Sequence, residues 1–306
     1  MLKRSGYSIL RIDVSAKASA EPSPRVPASA DRSAEAFALR RYVKCSNVDE
    51  HDDSSTRSWD RVADDWVAHA DSNDYRNHFL LPRMLALIGE VRGRTILDLG
   101  CGEGGYAREL ARRGAHVVAV DGSARLIEVA RARAADAGLP TIRFVRANAA
   151  ALREIATGSI DIVVAAMSLM DVEDYDGAIA EAHRVLVDGG SLAMSITHPC
   201  FSAPVSAWVR DAAHRLQHFV VDRYLDRAAW DSFITTSFRA PVVRRHRPLE
   251  DYLRAPISAG FTLREFLEPA PTDDERAVSR RFEKLLRIPY FIFMRWERPF
   301  LRSVRL

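Results

Sequence analysis

A chain of 306 residues, 47% of them apolar, is long enough to bury a full core in one large or two small domains. Its 44 Lys and Arg nearly balance 41 Asp and Glu, for a net charge of +3, so no charge excess calls for a nucleic acid or an anionic membrane as partner. The 3 cysteines, Cys45, Cys101 and Cys200, are far apart and form no zinc-type Cys/His spacing, which predicts reduced thiols, a cytoplasmic setting and no metal.

The opening MLKRSGYSILRIDVSAKASA breaks its short apolar stretch with Arg11 and Asp13, unlike a secretory leader, though a transit-type leader stays open. No run approaches the ~18 apolar residues of a membrane span. Residues 15–58 are rich in Ala, Ser, Pro, Asp and Arg and have few large apolar groups to offset chain entropy. A disordered extension is predicted over 1–57, with the folded domain over 58–306. From Trp59 the spacing changes. In SWDRVADDWVAHAD, Trp59, Val62, Ala63, Trp66 and Val67 mark one helix face, and FLLPRMLALIGEVRG follows as a second helix that Gly93 can end.

Next come short apolar runs at the length of buried parallel strands: TILDLGC, HVVAVDG, IRFVRAN, IDIVVAAMS and GSLAMSITH. GYARELARRG, ARLIEVARARAADAG and DGAIAEAHRVLVDGG lie among them with helical spacing and terminal glycines. Repeated β-α-β predicts an α/β fold, a doubly wound, mostly parallel sheet. Residues 200–247 mix aromatics, arginines and prolines and read as an insertion or lid after the fifth strand. The helix LEDYLRAPISAG and two more strands, FTLREFLEP and PYFIFMRWER, complete seven strands.

The stretch ILDLGCGEGGYA carries the most chemistry. Its glycines fit a dinucleotide loop, and a tight turn without ligand would want glycine too. Asp98, however, stands inside the apolar run just before them, where a carboxylate is costly unless it has partners. A cationic cofactor supplies one, whereas a pyrophosphate would be repelled. Asp121 ends the next strand about 20 residues on, where an acidic side chain accepts from ribose hydroxyls; a helix N-cap is its other reading.

With Asp98, Gly100, Gly102 and Gly104 matching an acidic-x-Gly-x-Gly-x-Gly motif, residues 95–198 resemble the core of class I S-adenosylmethionine-dependent methyltransferases. The resemblance implies a Rossmann-like seven-stranded fold whose last strand is antiparallel, and S-adenosyl-L-methionine as cofactor with S-adenosyl-L-homocysteine as product. It implies that the glycine loop, with Cys101, faces the methionine moiety and that Asp121, with Gly122, holds the ribose. Asn148 stands where the family commonly has an acidic residue facing adenine, followed by Ala149; this is a departure, though an amide oxygen also accepts. Met167 falls in the segment beside adenine and the transferred methyl, with core packing as its other reading.

The acceptor is less legible. His198, Asp171, Tyr75 and Arg76 are the catalytic candidates. His198 follows the fifth strand, Asp171 the fourth, and Tyr75 and Arg76 lie between the first two helices. Each also has a plain reading: a hydrogen-bonded structural histidine, a helix cap for Asp171, a solvated Arg76. Arg244 or Arg245 in RRHRP is a further place for a carboxylate. NDYRNH, AMSLMDVEDY, SITHPCF and RIPYFIFMRW are together similar to bacterial small-molecule methyltransferases, among them the methionine S-methyltransferases of dimethylsulfoniopropionate synthesis. The expected partner is a small-molecule methyl acceptor, with methionine S-methylation first and N- or O-methylation of another metabolite as the alternative. A module that binds S-adenosylmethionine without turnover, or a dinucleotide dehydrogenase, remain other readings. Nucleic acid is disfavoured because SLMD replaces the Asn/Asp-Pro-Pro-aromatic motif after strand four. A homodimer is left open.

Overall fold

The computed structural model describes residues 53–300. Positions 1–52, most of the expected extension, lie outside the described residues. Positions 54–57 do not belong to that extension: they form the first turn of α1 (Ser54–Arg61), because the Asp53 carboxylate caps it by accepting from the Thr56 N–H at 2.7 Å. The single helix expected from Trp59 onward is broken at the fully buried Val62, whose backbone leaves the helical range, and α2 (Ala63–Ala70) begins after it. A π-helical turn, Tyr75–Leu80, then leads into α3 (Leu81–Ile88). It sits just before Pro82, which has no N–H to give a preceding carbonyl, and the Leu81 N–H reaches back to the Arg76 carbonyl in the wider register.

The strands follow the predicted order. The main sheet comprises β1 (Thr95–Leu99), β2 (His116–Asp121), β3 (Arg143–Arg146), β4 (Ile160–Ala166), β5 (Leu186–Thr197), β10 (Thr262–Leu267) and β11 (Phe291–Glu297). Their spatial order is β10-β11-β5-β4-β1-β2-β3. All neighbours are parallel except at β11, which pairs antiparallel with both β5 and β10. This is the seven-stranded, doubly wound α/β sheet of the Rossmann-like methyltransferase fold. Strand order reverses between β1 and β4, and the crevice at their carboxyl ends is where such sheets bind ligands.

Side-chain alternation along β1 places Leu97 and Leu99 on one face and Ile96 and Asp98 on the other. The first face packs with Met194, Trp296, Ile179 of α6 (Tyr175–Val185) and Tyr252 of α7 (Leu249–Ser258). The second packs with Phe79, Met84, Leu110 of α4 (Gly105–Arg112) and Ala130 of α5 (Ala124–Asp136). Asp98 is thus a carboxylate, 1% exposed, on an otherwise apolar face.

The 200–247 segment is built as two antiparallel pairs, β6 (Val205–Arg210) with β7 (Leu216–Asp222), and β8 (Ala228–Ser232) with β9 (Val242–His246). The second pair leans on the N-terminal helices. The Val243 N–H donates to Ser58 Oγ at 3.0 Å, Arg239 pairs with Asp65 at 3.0 Å, and Val62, Phe238 and Val242 form a small core with Trp59, Trp66 and Ile234. A last short helix, α8 (Asp273–Val278), precedes β11. Among the described residues, no helix is long and apolar enough to cross a membrane.

Candidate active site

Beyond β1 the chain turns sharply. Gly100, Gly102 and Gly104 all adopt left-handed backbone, with φ of 75°, 56° and 81°. At Gly100 there is no room for a side chain either, since a Cβ would fall 2.3 Å from that of Ser168. The loop is held from the next strand, where the Val120 carbonyl accepts from the N–H groups of Gly100 and Cys101 at 2.8 and 2.9 Å.

Two carboxylates underlie this loop. Asp98 accepts a backbone hydrogen bond from Ala107, but its Oδ2 is buried without a partner. Burial, then the charge of Asp121, pushes its carboxyl up to about 7. Asp121 uses one oxygen for the Gly102 N–H and the other for the Ser123 N–H, both at 2.9 Å. Burial raises its pKa while these backbone bonds oppose the rise. Ser123, not Asp121, caps α5. Asn148 Oδ1 accepts from the Ala150 N–H at 2.9 Å, and Met167 holds a left-handed φ of 56°, a strained backbone for a side chain of its size.

A cavity of about 290 Å³ opens over the loop. Gly100, Cys101, Gly102, Asp121, Gly122, Asn148, Ala149 and Met167 line it, joined by Tyr75, Arg76 and Asp171. Asp98 and Gly104 lie behind the loop rather than on the wall. His198 is not on the wall either. It is 3% exposed, its Nδ1 accepts from the Cys200 N–H at 3.1 Å, and its Nε2 faces Glu268 Oε1 at 2.5 Å. Both ring nitrogens are engaged, so His198 ties the end of β5 to the segment after β10. Burial lowers its pKa while Glu268 opposes.

Tyr75 presents its ring to the cavity, but its hydroxyl donates to the Arg281 carbonyl at 2.9 Å. Arg76 is not solvated. It reaches Glu103 Oε1 at 2.5 Å and the Ala70 carbonyl at 3.2 Å, and lies so close to Gly105 that a Cβ there would be 1.6 Å from its Nη2. Sequence reading missed Glu103, a charged residue 2% exposed. Burial raises its pKa, but Arg76, Arg108 and Arg133 converge on it and hold it below the ordinary carboxylate value.

Asp171 sits across the cavity, 7% exposed. It does not cap α6, because Asp174 does so by accepting from the Gly177 N–H at 2.9 Å. Its Oδ1 has no hydrogen-bond partner, and the nearest cation, Arg244 Nε, is 4.0 Å away. Burial pushes its carboxyl up to about 6, against the charges of Arg244, Arg245 and Arg247 and a hydrogen bond from Trp59. Arg244, one of the two arginines expected to meet a carboxylate, lies on the roof beside it with Trp59, Trp66 and Ile234, which were not named from sequence as site residues. The tryptophans, 5.7 Å apart and edge to face, had simply marked a helix face. Thr56 packs against Gly122, and Asp60 accepts from Ser123 Oγ at 2.6 Å and the Arg125 N–H at 3.1 Å, seating α1 at the carboxyl end of β2.

Comparison with known proteins agrees with this geometry. Residues 97–194 match the family described as "Methyltransferase domain". A solved S-adenosylmethionine dependent methyltransferase from Mesorhizobium loti is 29% identical with a TM-score of 0.63, over 74% of this chain and 99% of that one. A ubiquinone biosynthesis O-methyltransferase from Hahella chejuensis is 32% identical over 50% of this chain, and a demethylmenaquinone methyltransferase from Lactococcus lactis is 32% identical over 37%. This chain spans 61% and 46% of those two relatives. Fold, glycine loop and relatives agree: residues 97–194 carry a methyltransferase domain, and the chain has the architecture of the S-adenosyl-L-methionine-dependent methyltransferases it is similar to.

Proposed function

We propose that this enzyme methylates a small molecule held under the roof of the cavity and, more narrowly, that the acceptor atom is a thioether sulfur, that of methionine. The observation that carries the transfer is the continuity of one cavity from Gly100, Gly102 and Asp121 to Trp59, Ile234, Asp171 and Arg244. Donor-type and acceptor-type walls face the same space.

The residues present fit the donor. The buried, unpaired Oδ2 of Asp98 puts a carboxylate behind the glycine loop, which favours a cationic group in front of it. Asp121 keeps lone pairs on both oxygens for ribose hydroxyls, and Asn148 keeps its amide nitrogen and one lone pair for an adenine edge. Arg76, against Gly105, suits the donor's carboxylate rather than the acceptor's. When bound, S-adenosyl-L-methionine supplies a methyl group on a sulfonium, open to in-line displacement.

The chain's share of the work is to align the acceptor and exclude water. A thioether loses no proton on methylation, so no general base is required. That suits a site whose histidine candidate is engaged elsewhere. A second reading, O-methylation of a phenolic acceptor, is favoured by Asp171, whose carboxyl at about 6 with an unpaired oxygen is a positioned base. The quinone-pathway names of two relatives point the same way. The test is incubation with methyl-labelled S-adenosyl-L-methionine and either methionine or a catechol, with product identified by mass. A labelled sulfonium supports the first reading and a labelled ether the second. No labelled product from these or a wider metabolite panel refutes the transfer.

A further inference from the structure

Two arginines line the cavity, and they are not equivalent. Arg76 is held by Glu103 and the Ala70 carbonyl. Arg244 on β9 has its closest acidic oxygen, Asp171 Oδ1, at 4.0 Å, beyond hydrogen-bond reach. Its neighbours in the basic run are all engaged: Arg245 with Ser54 and Glu173, His246 with the Tyr224 carbonyl, Arg247 with the carbonyls of Val172 and Glu173. Opposite Arg244, the Oδ1 of Asp171 is buried and without a partner. A guanidinium and a carboxylate thus stand side by side on the cavity wall, paired in charge but too far apart to hydrogen-bond.

We propose that Arg244 and Asp171 form the headgroup site for the methyl acceptor, Arg244 binding a carboxylate and Asp171 the adjacent ammonium of a free α-amino acid. This rests on the transfer reading and adds the residues that choose the acceptor. A zwitterion gives each group a hydrogen-bonded partner of opposite charge at once, whereas a catechol brings the guanidinium no carboxylate to bond. The donor's own amino-acid end does not need this pair. Its counterparts are Arg76 on the wall and the carboxylate of Asp98 behind the glycine loop. Trp59 and Ile234 close the apolar sides, so the two charged groups fix orientation while the side chain of the acceptor packs.

The test is calorimetric titration of the full chain saturated with S-adenosylhomocysteine, which cannot turn over. The probes are methionine, the amine that lacks its carboxylate, and the acid that lacks its ammonium. Methionine is expected to bind about 10–100-fold more tightly than either truncated probe, the worth of one charge-assisted bond. Arg244→Met should lower methionine affinity by a similar factor and leave the amine unchanged. Asp171→Asn should weaken methionine and the amine and leave the acid unchanged. Unchanged S-adenosylhomocysteine affinity in each variant reports an intact donor site, and Arg244, partly exposed, carries the test alone where Asp171→Asn does not fold.

Wild-type affinity for methionine in Arg244→Met, equal losses for all three probes, or no binding of methionine to the unaltered protein would each overturn the headgroup site. Transfer to a catechol without methionine binding overturns it too and leaves the transfer standing. The expected binding pattern with no labelled product from any acceptor upholds the headgroup site and overturns the transfer.

Discussion

Replacing Asp98 by asparagine should change how the stability of the donor-free protein depends on pH. The Asp98 carboxyl is pushed from 3.8 up to about 7 by burial and the charge of Asp121. Between these values the folded chain holds a proton that the unfolded chain has released, so stability falls as pH rises and levels off above about 7. At about 1.4 kcal/mol per pH unit, the loss is about 4 kcal/mol. The substituted asparagine keeps an oxygen for the Ala107 N–H and cannot ionise, but it buries an amide donor at a cost of about 1–3 kcal/mol. Urea unfolding from pH 4 to 8 should therefore show Asp98→Asn less stable than the unaltered chain at pH 4, with the order reversed at pH 8. Asp171, raised to about 6, adds a slope common to both proteins and cancels in the difference. S-adenosylhomocysteine should bind the variant more weakly above pH 7, through loss of the negative charge behind the glycine loop. Parallel stability profiles over the whole range would refute the assignment of a strained, uncompensated carboxylate at this position.

Gly100→Ala should destabilise the chain and abolish donor binding, because it combines left-handed backbone, costing about 1–2 kcal/mol, with a Cβ 2.3 Å from that of Ser168. Near-normal melting and affinity would contradict the loop geometry. Asp121→Ala should weaken S-adenosylhomocysteine by about 1–3 kcal/mol and also lower stability, since the N–H groups of Gly102 and Ser123 lose their acceptor. Affinity equal to that of the unaltered chain would remove Asp121 from the ribose. His198→Gln should leave kcat and its pH profile unchanged while lowering stability by about 1–3 kcal/mol. A lost acidic limb in kcat would return His198 to the chemistry.

The sheet was legible because its strands are apolar runs separated by helices that end in glycine, and those two periods differ. The boundary that failed is instructive. DGAIAEAHRVLVDGG reads as one helix to its glycines, yet α6 stops at Val185 and β5 begins at Leu186, where Ile160 of β4 offers a strand edge to pair. Local spacing cannot register a partner 26 positions earlier. Ser54, Ser55 and Ser58 resemble linker residues and are buried in α1. For Ser58, bonds to the Ser55 carbonyl and the Val243 N–H come from packing that no short window contains. The glycine turn was legible because Gly100, Gly102 and Gly104 belong to one contiguous stretch. Glu103 went unnoticed and Arg244 could not be told from Arg245, because Arg76 and Asp171, which face them in the cavity, lie 27 and 73 positions away.

The helix pair α1 and α2 has two commitments. Thr56 and Asp60 rest it on Gly122, Ser123 and Arg125, over the Asp121 end of the cavity. Ser58 and Asp65 hold the β8–β9 pair that carries Arg244. Entry of the larger ligand beneath the pair and completion of the wall on its far side are then successive events. Donor first and acceptor second is the order this predicts, with the demethylated donor leaving last. Dead-end inhibition by an unreactive acceptor analogue should be uncompetitive towards S-adenosyl-L-methionine. A noncompetitive pattern would mean that the two walls assemble independently of the donor.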